Sequence, residues 1–227
     1  EFIERMERGD KMMTTSCCPA YVRAVQIHAP ELKDCISETK SPMIYTAELA
    51  KKVDPDCITV FIGPCLAKRR EGFDSDVVDY VLSVEEVNAL FRAKEIDVSK
   101  MEEQNRTYTP TVTGRFFAKS SGVAESVKAR LPLDKRAILK PVVINGLDKQ
   151  GMKILQNYGK INVGSVPQPE DCPNLIEVMA CEGGCIAGPS VIMNPKTGEA
   201  LLGMYANSGS KELVNDIPPK CDVNKII

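Results

Sequence analysis

Short apolar runs rich in β-branched residues alternate along this chain with amphipathic stretches, and that alternation restricts the fold more than any other feature. Cys57-Ile58-Thr59-Val60-Phe61-Ile62 reads as a buried strand stopped by Gly63-Pro64. Tyr80-Val81-Leu82 is a second strand. It runs into Ser83-Val84-Glu85-Glu86, a capping box, with Val84, Val87, Leu90 and Phe91 on one face of the helix that follows. Val142-Val143-Ile144 is a third strand, after which Gly146 opens a helix carrying Met152, Ile154 and Leu155; Leu175-Ile176-Glu177-Val178-Met179 is a fourth. These strands are too apolar for a sheet with one wet face. The pattern therefore predicts an α/β fold, with a largely parallel sheet or sheets flanked by helices. Asn162 to Pro173 reads as a loop, and beyond Pro189 the chain is turn-rich. No apolar run approaches the ~20 residues needed to span a bilayer.

Composition narrows the chemistry. The 227 residues carry nine cysteines but one histidine, His28, and no tryptophan. Sites built on several imidazoles are excluded. A net charge of −2 with 26% charged residues gives no electrostatic case for nucleic acid or a membrane surface as partner. An odd cysteine count in a long chain without a visible signal peptide argues against a secreted disulfide framework. Metal ligation or redox chemistry in the cytoplasm is the expectation. The chain begins at Glu1, without methionine, in what reads as the middle of a helix, so it is expected to be a fragment.

The cysteines fall at telling places. Cys65 lies just beyond the first strand and Cys181 just beyond the fourth, where open α/β sheets bind ligands. Cys185 follows Cys181 after Glu182-Gly183-Gly184, and the glycines let the backbone fold tightly around a bulky group. Cys17-Cys18 precede Pro19, suited to the first turn of a helix through Tyr21, Val22, Val25 and Ile27. Such a helix start favours thiolates and an anionic cofactor. Cys18, Cys65, Cys181 and Cys185 thus form a set of four thiolates, the number that holds a 4Fe–4S cubane. Taken singly, a cysteine at a strand end is more often a small buried hydrophobe; it is the four together, each with glycine or proline close by, that point to a cluster. A structural zinc site is the metal alternative, but it usually shows two short cysteine knuckles and only Cys181–Cys185 has that form. Cys35, Cys57, Cys172 and Cys221 lack motif context and are read as structural.

Three ordered signatures carry a resemblance. Thr15-Ser16-Cys17-Cys18-Pro19-Ala20 resembles the first signature of the iron-only (FeFe) hydrogenases. Gly63-Pro64-Cys65-Leu66-Ala67-Lys68-Arg69-Arg70-Glu71 resembles the second, P-C-x-x-K-x-x-E, and Met179 to Gly188 resembles the third, M-A-C-x-G-G-C-x-x-G. The likeness runs from Glu1 to about Pro189 and includes Ser37-Glu38-Thr39-Lys40-Ser41-Pro42 and Gly114 to Val123. Residues 190–227 do not match the commonest family ending. The chain is accordingly read as a single fragment, 1–227, of the hydrogenase catalytic domain, with a signature-bearing region of 1–189, a divergent tail and the amino-terminal part of the domain missing.

The resemblance implies reversible interconversion of protons and electrons with dihydrogen at an H-cluster, a 4Fe–4S cubane joined to a diiron unit with carbon monoxide and cyanide ligands. By the same resemblance, Cys18, Cys65 and Cys181 ligate the cubane, and Cys185 ligates it and bridges to the diiron unit. Lys68 is then the charged donor to a cyanide, Cys17 passes protons, Ser37 matches the serine of the proton relay, and Glu1 matches its inner glutamate. A thiol with its pKa near roughly 8.5 suits proton transfer near neutral pH. Met179 and Phe117 match apolar residues walling the diiron site. Arg69 and Arg70 are left on the surface. The implied partners are a ferredoxin or similar electron carrier and maturation proteins.

Gly63, Met43 and Pro189-Ser190 depart from the usual residues, so catalytic bias and oxygen sensitivity do not transfer. Two relatives of the same type are alternatives: non-catalytic cluster-assembly proteins of the prelamin-A recognition factor group, and sensory hydrogenases. Both often lack an equivalent of Cys17.

Overall fold

The computed structural model describes residues 1–102 and 110–209; Cys221 and the end of the divergent tail lie outside them. Phe2–Arg8 (α1) leads into a two-residue strand, Met13–Thr14 (β1), and then Pro19–His28 (α2) and Pro42–Val53 (α3). Val60–Gly63 (β2), Ala67–Phe73 (α4), Tyr80–Ser83 (β3) and Val84–Ala93 (α5) follow. After short Val112–Arg115 (α6) come Gly122–Arg130 (α7), Pro141–Asn145 (β4), Lys149–Asn162 (α8), Leu175–Met179 (β5) and Pro195–Asn207 (α9). Two separate sheets result, ordered β1-β5-β4 and β2-β3, and every pairing is parallel. The expected α/β class with parallel strands and flanking helices is what the chain forms.

β5 is the central strand of the larger sheet and all five of its residues are buried, which explains its nearly unbroken apolar run. On one face, Ile144, Ile176 and Val178 pack with Tyr21 and Val25 of α2, Leu155 and Ile161 of α8, and Cys35 and Cys172. On the other, Leu175 and Met13 pack with Phe2 of α1 and Ala124 of α7. Glu177 interrupts the run yet is fully buried. Its carboxylate accepts the Ser121 and Ala124 amides at 2.8 and 2.7 Å, so the unpaired donors at the start of α7 satisfy it.

The smaller sheet departs from expectation. The ladder starts at Val60, not Cys57: the Thr59 amide goes to the Asp79 carboxylate and its hydroxyl to the Val77 carbonyl, while its own carbonyl accepts the Tyr80 amide of β3 at 3.1 Å. It is not a buried strand either. Ile58, Val60 and Ile62 are 71%, 46% and 52% exposed, while Phe61 and Val81 pack with Met43 and Ala47 of α3. The Ser83 capping box is present, but Val84 and Leu90 of α5 are exposed as well. Apolar sequence marks these faces without telling which of them this chain itself covers. The helix expected to open at Gly146 starts at Lys149, capped by Asp148, and the turn-rich tail contains α9. Among the described residues no helix is long and apolar enough to cross a membrane.

These burial differences separate two leucines of similar sequence context. Leu155→Ala, in the core, is expected to cost about 2–5 kcal/mol, whereas Leu90→Ala on exposed α5 is expected to stay within about 0.5 kcal/mol; urea denaturation of both variants checks this.

Candidate metal centre

Parallel pairing puts the carboxyl ends of neighbouring strands on one edge. From that edge β1 leads into Thr15-Ser16-Cys17-Cys18, with Cys18 as the N-cap residue of α2 and Pro19 in its first turn. Beside it β5 leads into Ala180-Cys181; β2, in the other sheet, leads through Pro64 into Cys65. Asn145, at the end of β4, accepts the Gly183 amide at 2.7 Å and so holds the Cys181–Cys185 turn.

Two close approaches lock these segments together. Gly184 has φ +85°, and an added Cβ would lie 2.6 Å from the Ser120 nitrogen and 2.8 Å from the Ala118 oxygen. At Gly188 the Cβ would lie 2.5 Å from the Pro64 oxygen, the same carbonyl that accepts the Ser190 amide at 3.2 Å. The loop with Cys65, the turn with Phe117 and the turn with Cys185 therefore meet at backbone contact distance.

The four thiols of the expected ligand set sense one another. Burial pushes the Cys185 thiol up to about 11, and the charges of Cys18, Cys65 and Cys181 push the same way, opposed by Lys68. Burial also raises Cys181, with Cys18 and Cys65 adding to it. Cationic charge, which coordinated iron supplies, favours the thiolate form of Cys181 and Cys185. Among the described residues no three His, Cys, Asp or Glu side chains could hold a single metal ion; a cubane instead takes one thiolate on each of four irons. The donor set and the glycine-lined turn fit an iron–sulfur cluster.

Cys17 differs from the usual thiol. Burial raises it to about 12, with Cys18 and Cys185 adding to the rise and Lys68 opposing it. The expected value near 8.5 is thus corrected upward, because the helix start does not offset desolvation. Lys68 is buried on α4, its ammonium donating to the Cys17 carbonyl at 3.2 Å and pairing with Glu71 at 2.5 Å. Glu71 stands one helical turn from Lys68 and is part of the second signature, so the sequence held its signal. Arg69 and Arg70 are exposed, pairing with Glu86 and Asp74. Met179 is buried at the end of β5, and Phe117 is half-buried.

Ser37 and Glu1 are brought together elsewhere on the same edge. Ser37 donates its hydroxyl to the Glu1 carboxylate and its amide to the Thr14 carbonyl at 2.8 Å. Thr39 donates its hydroxyl at 2.6 Å, the Glu38 amide donates at 2.9 Å, and Arg5 pairs with the same carboxylate at 2.8 Å. Burial opposes the charge, but the donors Ser37, Thr39, Glu38 and Arg5 outweigh it and hold the carboxyl at about 2. Among the described residues no hydrogen bond joins Cys17 to Ser37 or Glu1. Arg5 and Thr39 were not assigned a role from sequence; the spacing of four from Glu1 is the signal for Arg5, and Thr39 lies in the Ser37–Pro42 stretch that carries the likeness.

The family profile described as "Iron only hydrogenase large subunit, C-terminal domain" matches residues 1–189. The chain belongs to that family. It is 28% identical over 243 residues to the periplasmic Fe hydrogenase large subunit of Nitratidesulfovibrio vulgaris, covering 88% of this chain and 57% of that one. It is 26% identical to the probable cytosolic Fe-S cluster assembly factor narfl of Dictyostelium discoideum, covering 84% of this chain and 50% of that one. The chain therefore spans about half the length of these relatives. Its fold matches an apo variant of FeFe-hydrogenase HydA1 from Chlamydomonas reinhardtii with a TM-score of 0.64 at 19% identity, covering 90% of this chain and 68% of that one. Membership in the iron-only hydrogenase family implies an iron–sulfur cluster.

Two predictions follow from the geometry. Gly184→Ala is expected to cost about 1–3 kcal/mol in backbone strain alone and to lower iron bound per chain, read by denaturation and iron analysis. The Glu1 carboxylate stabilises the fold fully above about pH 4.5 and loses that contribution as pH falls through about 2. Glu1→Gln is then about 1–2 kcal/mol less stable than the parent at neutral pH, and denaturation midpoints of the two should converge between pH 4.5 and 2.

Proposed function

We propose that this chain is the ligand-bearing part of a working FeFe hydrogenase, interconverting protons and electrons with dihydrogen. The observation that carries the reading is Lys68 beside Cys17: a half-buried thiol next to a ligand-set cysteine, with a buried ammonium on its backbone carbonyl at 3.2 Å. A protein that only holds a cubane needs neither group there. Cys18, Cys65, Cys181 and Cys185 hold the H-cluster, and the diiron unit with its carbon monoxide and cyanide ligands, when bound, supplies the two-electron chemistry.

The chain's own groups do the rest. Lys68, held by Glu71, presents a charged donor in a dry pocket, where it counts for more than in water. Cys17, half-buried, holds and releases a proton at its Sγ. Ser37 and Glu1 continue the path outward, with Glu1 resting as an anion that takes a proton only in passing. Met179 and Phe117 keep water from the reacting side. A ferredoxin-like electron carrier, maturation proteins and a reducing cytoplasm belong to the same proposal, since thiolate ligands must stay unoxidised before loading.

The second reading is a cluster-assembly factor, favoured by the likeness to narfl. Infrared spectroscopy of the full-length protein, matured without oxygen, separates the two. Bands in the carbonyl and cyanide stretching region are expected; a blank region beside an intact cubane overturns the hydrogenase reading. In the same protein Cys17→Ala is expected to lower turnover by about 100-fold or more at unchanged iron content, and Cys185→Ser to lose those bands.

A further inference from the structure

α9 lies beyond the stretch that matches the family profile, which ends at residue 189. It nevertheless packs on the Cys185–Ala187 turn, on α6 and on the Phe116–Ala118 turn. It therefore covers the segments that bear Cys185 and Phe117.

Both ends of α9 are tied down. Near its start α9 packs on the Cys185–Ala187 turn, where an added Cβ on Gly198 would rest 3.8 Å from the Ile186 oxygen and the Met193 sulfur. At its far end Arg115 reaches across from α6. Its Nη1 donates to the Tyr205 carbonyl at 2.6 Å and to Ser208 Oγ at 2.7 Å, and the guanidinium lies 4.1 Å from the Tyr205 ring centroid. Carbonyls in the last turn of a helix lack intrahelical partners and carry the negative end of its dipole, so a cation is well matched there. Beside the clamp Ala206 is fully buried, and a Cβ on Gly209 would lie 2.8 Å from the Pro110 oxygen.

Little else holds this helix. Leu201, Met204 and Tyr205 are 48%, 74% and 57% exposed, so α9 has no broad apolar seat. Arg115 Nε is buried without a hydrogen-bond partner. Nε thus gives up water with no partner of its own, and that loss is offset only while the Nη1 hydrogen bonds to Tyr205 and Ser208 and the ring contact stay in place.

We propose that α9 is the wall that closes the Cys185 side of the thiol crevice, and that Arg115 is the positioning residue that holds it shut. The importance of the wall rests on the ligand role given to Cys185 above, but the closure itself does not depend on which cluster the thiols bind. Open, the helix exposes the turn amides of Ala187 and Gly188, which donate to the Gly184 and Cys185 carbonyls.

Hydrogen–deuterium exchange on the full-length protein before cluster loading tests this. Arg115→Ala is expected to speed exchange at Ala187 and Gly188 by about tenfold or more, leaving β4 unchanged. Arg115→Lys is expected to recover part of the protection, since an ammonium can reach the same acceptors but cannot stack as a planar guanidinium does. If Arg115→Ala does not fold, Tyr205→Ala decides, because that ring is exposed and its loss opens no core; a smaller rise at the same two amides is expected. Exchange that rises only within 195–209, or nowhere, overturns the proposal. Iron uptake by the parent protein reports separately on the ligand reading: failure to bind iron would sink that reading while the exchange data still decide the wall.

Discussion

The candidate site depends on backbone meeting backbone without side chains between. At Gly184 and Gly188 the cysteine turn comes within contact of the 118–120 segment and of Pro64, closer than any Cβ would permit. These two contacts set how far Cys185 stands from Cys65 and from Phe117. Parallel pairing then fixes the other members, because β1 and β5 end on the same edge and pass directly into Cys18 and Cys181. Asn145 on the Gly183 amide and Glu177 on the start of α7 hold the glycine turn and its opposing segment to the same sheet.

Electrostatics gives this arrangement its direction. Desolvation, with the neighbouring thiol charges adding to it, holds Cys185 near 11 and Cys17 near 12, and the cation that opposes both shifts is Lys68. Binding a metal to Cys185 as thiolate would therefore be coupled to proton release. The Glu1 carboxyl is poised the opposite way, an anion held near 2 by Ser37, Thr39, Glu38 and Arg5. Proton-accepting and proton-holding groups are thus set apart by environment rather than by residue type.

Much of this was legible in the chain. β5 was readable to the residue, since a strand buried on both faces admits only apolar side chains or a carboxylate with amide partners. The capping box at Ser83 and the proline opening α2 were readable because caps are local chemistry. β1 was not, for two residues carry no period. Val60 and Ile62 were read as buried, and Val84 and Leu90 as one apolar helix face, because hydrophobicity records that a face is apolar and not what lies over it. α9 was missed behind the asparagine, proline and glycine residues at its start.

The sequence by itself determined the class of fold and the donor chemistry: alternating apolar and amphipathic segments, and thiols placed just past strand ends with glycine or proline beside them. Packing alone settled that Cys17 is a half-buried thiol of raised pKa with Lys68 on its carbonyl, that Arg5 and Thr39 secure Glu1, and that Arg115 ties α9 over the Cys185 turn. The reason is physical. Secondary structure and ligand type follow from local periodicity and residue chemistry, whereas burial, charge coupling and the pairing of Arg115 with Tyr205, ninety positions along the chain, exist only once distant segments have packed.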